Sequence, residues 1–353
     1  MKRLYLLISI LTCSIIGSAQ ITTQPLHAVL DVSAGLLYSL PKTVLVIKVE
    51  TRKIHDTPGI YFPYAERYLG VTNICQAESI RYEIVGIRIS TKAVPDLQKA
   101  YVITTGKAKS APAIELTSEG FLKSIGKTDG KKECLKNSTE NMAKPSCPEK
   151  YQSQETSIVT KEMQQATSTA KMAELAAAQL FNLRDTRINL LTMDLDKTPS
   201  DGRSYEIVLG ELNRMENYYR ELFTGKHTES TETSTFEYEP QKKEEEILFR
   251  FSQLKGIVDK TDLGGNPVFI DLQKILGSMA DIAIPSADNS KIGYSIYYRI
   301  PGKAQVKITN GNTILCDQKI TVAQFGQVMN LPAGAVSSAE FCPMTGAIMR
   351  LEK

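Results

Sequence analysis

The sequence predicts an α+β fold: two mainly β (sandwich-like) units with an antiparallel helical hairpin inserted between them. Three observations predict it. Apolar residues alternate with polar ones at 43–53 and again at 82–91, the period of a half-buried strand. Two segments between 159 and 225 carry seam residues at spacings of three and four. From Thr228 onward the two-residue alternation returns.

In chain order, Lys2 and Arg3 precede an apolar run at 4–16, and Gly17-Ser18-Ala19 follows with small residues where a signal peptidase reads. This pattern predicts a signal peptide over 1–19, cleaved near Ala19, and an exported chain in the periplasm, at the cell surface or secreted. Cys13 offers lipidation as the alternative, but Thr12 makes a poor lipobox. Segment 24–126 reads as the first mainly β unit. Leu45, Ile47 and Val49 share one face of its first strand, and Val85, Ile87 and Ile89 mark its second. Pro58-Gly59 marks a turn, and a short helix follows that Gly70 stops. Segment 127–158 is lysine-rich and poor in large apolar residues, so it reads as a polar linker or loop.

The hairpin is expected over 159–225. Met163, Ala166, Ala170, Ala173, Ala177 and Leu180 form a seam of mostly small residues. Tyr205, Val208, Leu212, Met215, Tyr219 and Leu222 form a seam of large ones, which would fill the space over the alanines. Ser204 is the expected N-cap of the second helix and Gly225 its stop. Segment 226–353 reads as the second mainly β unit. It opens with an exposed edge strand at 228–238 and contains a hairpin turn at Asn310-Gly311-Asn312.

A net charge of +3 is too small to argue for nucleic acid, and no apolar stretch after the leader is long enough to span a bilayer. Cys134 and Cys147 flank one polar loop and are the easiest disulfide to close; Cys316 and Cys342 could form a second, leaving Cys75 buried. No Cys-x-x-Cys spacing occurs and only three histidines exist, so neither a metal nor any other cofactor is expected.

Several segments together carry a family resemblance. They are Leu40-Pro41-Lys42-Thr43, Tyr64-Ala65-Glu66-Arg67-Tyr68-Leu69-Gly70, Asn189-Leu190-Leu191-Thr192, Ile247-Leu248-Phe249-Arg250-Phe251, Tyr297-Tyr298-Arg299-Ile300-Pro301-Gly302 and Ala323-Gln324-Phe325-Gly326. With them the chain resembles an uncharacterised family of exported Bacteroidetes proteins classified only as a domain of unknown function. The resemblance spans roughly residues 24–353. It implies export and integrity as one unit, and no catalytic residue.

Three near-motifs fail on spacing. The segment from Gly120 to Thr128 resembles a phosphate-binding loop but has five residues between its glycines where four are required, so it reads as a surface turn. Ser168-Thr169-Ala170-Lys171 has the Ser-x-x-Lys spacing of penicillin-recognising enzymes without the Lys-Thr-Gly that should follow. Asp194, Asp196 and Asp201 suggest a calcium loop, but Pro199 and Tyr205 stand where Gly and Glu are required. Turn-forming and capping roles are expected for them instead.

Tyr61, Tyr64, Glu66, Arg67 and Tyr68 form the first candidate ligand surface. Arg184, Asp185, Arg187, Arg250 and Arg299 are charges in apolar surroundings, expected to act as structural ion pairs. The sequence thus points to a non-enzymatic envelope protein that binds or scaffolds a protein partner. A glycan or small-ligand binding module is the alternative, weakened by the absence of Trp. An envelope hydrolase comes third and would need several of Glu66, Arg184, Asp185, Arg250 and Arg299 to converge in one cleft.

Overall fold

The computed structural model describes residues 21–26, 35–105, 113–126, 159–192, 201–241, 245–277, 295–332 and 337–352. The expected signal peptide and the 127–158 linker lie outside them. In chain order the elements are β1 (Ile21–Pro25), β2 (Leu36–Thr57), a 3-10 turn (Phe62–Tyr64), α1 (Ala65–Leu69), β3 (Ser79–Thr105), β4 (Ile114–Leu116) and β5 (Leu122–Ile125). The helices α2 (Lys161–Gln165), α3 (Thr169–Thr192) and α4 (Gly202–Thr224) follow. Then come β6 (Lys226–Tyr238), β7 (Glu246–Ser252), β8 (Gly256–Val258), β9 (Asn266–Ile275), β10 (Ser295–Asn310), β11 (Thr313–Pro332), β12 (Ser338–Phe341) and β13 (Ile348–Glu352). The fold is α+β and mostly strand, in three antiparallel sheets with a helical hairpin between β segments.

The sheets run β1-β3-β2-β6, β11-β10-β9-β7-β8 and β13-β12-β5-β4. The first two pack face to face. Leu45, Ile47 and Val49 of β2 meet Phe249, Val268, Ile270, Val306, Ile308 and Val322 in one core. A second core joins the other ends of the long strands to the third sheet, through Tyr38, Leu40, Tyr101, Ile103, Leu122, Ile125, Ile296 and Phe341. The β segments on either side of the helices interlock. β6 pairs with β2 from Leu45↔Tyr238 to Thr57↔Lys226, and β5 pairs with β12 at Ile125↔Ala339.

Each long hairpin is irregular where it passes between the cores. The β2–β3 register jumps between Ser39↔Ala100 and Leu40↔Asp96, and the β10–β11 register between Ile300↔Gln327 and Gly302↔Val322. Extra residues on one strand bend it and re-aim its side chains, and these paired bulges form a waist between the cores. Around them β2 and β11 are tied edge to edge. The Thr43 hydroxyl accepts from the Ala323 N–H at 2.9 Å, and the Gln324 side-chain amide pairs with both backbone groups of Thr43, each at 2.9 Å.

The helical hairpin forms as expected, with differences at its ends. Met163 lies in the separate α2, which ends at Ala166 before α3 begins. Asp201, not Ser204, is the N-cap of α4: its carboxylate accepts from the Ser204 N–H at 2.8 Å. Gly225 stops the helix, as expected. The small-residue face of α3 buries Ala173, Ala176, Ala177 and Leu180 against Tyr219, Phe223, Tyr61 and Ala65. The loop after β2 lies directly on the end of α4, where the Tyr61 N–H donates to the Leu222 carbonyl at 2.7 Å and satisfies one of the helix's terminal acceptors. Because Ala173 is fully enclosed, Ala173→Leu is expected to overpack this seam and cost about 1–3 kcal/mol. An unaltered denaturation midpoint would show that the face is open.

Candidate functional site

The candidate ligand surface is largely a packing surface. Tyr61 is buried against Phe223, ring centroids 5.6 Å apart, and Tyr64 and Tyr68 are half-buried on the hairpin core. Glu66 and Arg67 are exposed, with Arg67 lying over the Tyr68 ring at 5.4 Å. Gly70 closes α1 in the left-handed conformation, φ +66°.

The candidate structural charges are dispersed. Arg184 and Arg187 of α3 both reach Glu216 of α4, at 3.0 and 3.1 Å, so two cations share one carboxylate across the hairpin. Asp185 beside them is exposed. Arg250 is a loop clasp, donating to the carbonyls of Lys260 at 2.9 Å and Gly265 at 3.0 Å. Arg299 is buried at the waist in an ion pair with Asp96. Glu66, the Arg184–Asp185 neighbours, Arg250 and Arg299 therefore sit in separate places, with Arg184 paired to Glu216, Arg250 to loop carbonyls and Arg299 to Asp96, and they do not converge in one cleft.

The near-motifs have local roles. Ser168 accepts from the Lys171 N–H at 3.3 Å at the start of α3, while the Lys171 ammonium pairs with Glu174. The Gly120 segment differs from the expected surface turn. Gly120 turns the chain, but Leu122 and Ile125 of β5 enter the second core; Lys127 and Thr128 lie outside the described residues. Asp194 and Asp196 also lie outside them. The expected Cys316–Cys342 disulfide is not formed, since Cys316 is a free thiol. It sits on β11 against the first core, whereas Cys342 follows β12 beside the second. Cys75, expected to be buried, is a half-buried free thiol in the loop before β3. Cys134 and Cys147 lie outside the described residues.

Three arrangements escaped sequence reasoning. At the waist, Tyr101 stacks between Tyr38 and Tyr297, at 5.6 and 4.4 Å, and the Tyr38 hydroxyl accepts from the Tyr297 N–H at 3.0 Å. Burial pushes the Tyr101 phenol up to about 12. The adjoining cleft, between Ser39, Pro41, Tyr298 and Phe341, has room for about one water molecule, so it is no ligand pocket.

The second lies where sheet meets hairpin. Asp56, Ile54 and Arg52 of β2 share one face with His227 and Glu229 of β6 and with Arg81 and Glu83 of β3. The His227 ring is held at both nitrogens, Nδ1 by Asp56 at 2.5 Å and Nε2 by Glu229 at 3.2 Å. Ionised carboxylates only accept, so both bonds are made together only when both nitrogens carry protons, which favours the imidazolium form. Such a ring is a clamp rather than a free base. Among the described residues, no group of three or more His, Cys, Asp or Glu is placed to hold a metal ion.

The bond to Asp56 chiefly, then that to Glu229, raises the His227 pKa above 6.5, and both carboxyls are lowered in turn. The raised imidazole contributes stability that is full below 6.5 and lost as pH rises through its folded value. The carboxylates' contribution is present above their ordinary values of 3.8 and 4.5 and lost on acidification. His227→Gln is therefore expected to lower the melting temperature at pH 5.5–6 and to make no difference at pH 9. A gap between the two proteins that is constant across this range would refute the clamp.

The third is a row of exposed apolar side chains at the end of the hairpin far from the sheets. Ile188 and Leu191 of α3 and Ile207 and Val208 of α4 are 54, 56, 61 and 39 % exposed. The Tyr205 hydroxyl, 3.4 Å from the Leu190 carbonyl, places the two helix ends side by side. No helix among the described residues is long and apolar enough to cross a membrane.

No curated protein and no solved structure matches the chain. A family model does, over residues 34–347, which takes in both β cores and the whole hairpin. The chain belongs to the family described as a domain of unknown function, DUF4831.

Proposed function

We propose that this is an exported, non-enzymatic envelope protein that binds or scaffolds a protein partner through the far end of its helical hairpin. The observation that carries the reading is the exposed row Ile188, Leu191, Ile207 and Val208. Leu191 and Val208 continue the hairpin's inward faces beyond the part that Tyr61 and α1 cover, with Ile188 and Ile207 flanking them, where a further helix or loop could bury them. Export rests on the charged, apolar and small-residue order of residues 1–19. An oxidised Cys342 belongs to the same reading: Cys75 and Cys316 are the free thiols among the described cysteines. Alkylation before and after reduction tests it.

The experiment is site-specific photocrosslinking in the native cell, with the crosslinker at position 188, 191 or 207 and, as control, at Glu115 on the third sheet. One protein crosslinked from the hairpin positions and not from the control is expected, with loss of the product on Ile207→Asp. Equal products from all positions, or none, would reject the hairpin as the binding element. A thermal shift with glycans, unaffected by Ile207→Asp, would favour the small-ligand module.

A further inference from the structure

We infer that Gln20 is a modification site: once the leader is removed, its α-amine closes on its own side-chain carboxamide, and the mature chain begins with a pyroglutamyl residue. The inference rests on the export reading, since only cleavage after Ala19 makes Gln20 terminal. An N-terminal glutamine carries a nucleophile and an electrophile on one residue. Its α-amine has an ordinary pKa of about 8, so a sizeable fraction is free base near neutrality. The side-chain Cδ lies where attack closes a five-membered ring, and an intramolecular reaction of this kind enjoys a large effective concentration. The Nα–Cδ bond forms, the Cδ–Nε2 bond breaks, and a proton passes from the amine to the departing nitrogen, which leaves as ammonia. No oxidant or reductant takes part. The same cyclisation is closed to Gln24, whose backbone nitrogen is already an amide.

Gln20 itself lies outside the described residues, but its neighbour is the first residue of β1, so no spacer separates the new terminus from the sheet. Ile21 pairs with Thr105, and the ladder runs antiparallel to β3 as far as Pro25↔Tyr101. β1 is the outermost strand of its sheet and only five residues long. It is nonetheless part of the interior: Thr23 is 2 % exposed, and the strand also lies against β10. Proteolytic trimming concentrates at chain termini. An exopeptidase working from a free α-amine would take Ile21 and Thr22 soon after Gln20 and strip their partners on β3 bare. The lactam has no α-amine for such an enzyme to hold, and it exchanges a cation at the strand's end for a neutral group. The ring uses only atoms of Gln20, so the ladder from Ile21 onward is left as it is.

Mass spectrometry of the protein recovered from the native cell tests this. It is digested with trypsin beside an isotope-labelled synthetic peptide of residues 20–42 that starts with a free glutamine and reports any cyclisation during handling. The native N-terminal peptide should begin at residue 20 and be lighter by one ammonia, while the labelled peptide stays linear. A native peptide with a free α-amine, or one cyclised no further than the labelled standard, overturns the inference and leaves export standing. A retained leader, an acylated Cys13 or a different first residue overturns the cleavage site and the inference together. Gln20→Glu, whose carboxylate is a poor acyl group, should keep its α-amine and lose residues from the start of β1 in the cell. A variant terminus as uniform as the parent's would overturn the protective role.

Discussion

Gly326→Ala is expected to be the most damaging single-methyl change in this protein. A Cβ at this position would stand 1.7 Å from the Ile300 carbonyl oxygen, 2.7 Å from its carbon and 2.8 Å from the Gly302 nitrogen. All three are backbone atoms of β10 at the bulge, and none can swing aside as a side chain could. A Cβ on Gly302 would likewise stand 2.8 Å from the Phe325 backbone across the same contact. An overpacked core side chain costs about 1–3 kcal/mol; here the cost should exceed about 3 kcal/mol, because relief requires prising β10 from β11 at the waist. Gly210 on α4 supplies the control. Nothing lies within 4 Å of its missing Cβ, so Gly210→Ala should stabilise by roughly 0.5–1 kcal/mol. Urea midpoints of the two variants give the comparison. A Gly326→Ala protein as stable as the parent would mean that the two backbones do not touch.

Asp96→Ala should rank close behind. The Arg299 side chain is only 5 % exposed and Asp96 14 %, and the two are far apart in sequence, so their ion pair ties the β3 bulge to β10. Removing the carboxylate strands a buried guanidinium, a loss of about 3–5 kcal/mol. The pair itself is a weaker asset than that figure suggests. Desolvation offsets much of the Coulombic attraction, and the Arg299 Nε is buried without a hydrogen-bond partner among the described residues. Asp96→Leu combined with Arg299→Met is therefore expected to regain most of the loss. Equilibrium unfolding of both single variants and the double one decides the matter. If the double variant is as unstable as the sum of the singles, the pair holds the waist by more than avoiding an unpaired charge.

These two positions also show where the sequence was legible. The alternation of Leu45, Ile47 and Val49, and the small and large seams of the hairpin, are local periodicities, and each survives in the structure as a buried face. The full lengths of β2, β3 and β10 are not local. Pro41 pairs with Pro95 in the β2–β3 register, and Pro301-Gly302 lies inside β10. Residues that usually end a strand stand here beside bulges, where the ladder is broken anyway. The same punctuation hid β5 between Gly120 and Gly126. Arg299 was visible as a charge in an apolar setting, but nothing near it in the chain pointed to Asp96. His227 and Asp56 were hidden likewise, as their contact depends on β6 returning beside β2 across the whole hairpin. In the apolar row, Leu191 and Val208 share the hairpin's periodicity, so only accessibility separates them from the core.

The pairing of β5 with β12 bears on the order in which the molecule can come together. Ile125 finds its partner at Ala339, far along the chain and beyond the whole helical hairpin. While the polypeptide is still emerging from its site of synthesis, the second core lacks one wall and the third sheet has only the short β4–β5 pair. Contacts so distant along the chain close late and make folding slow. The nascent protein should therefore remain open and threadable until β12 has emerged, and a fragment ending before Ser338 should stay sensitive to proteases however long it is given to fold.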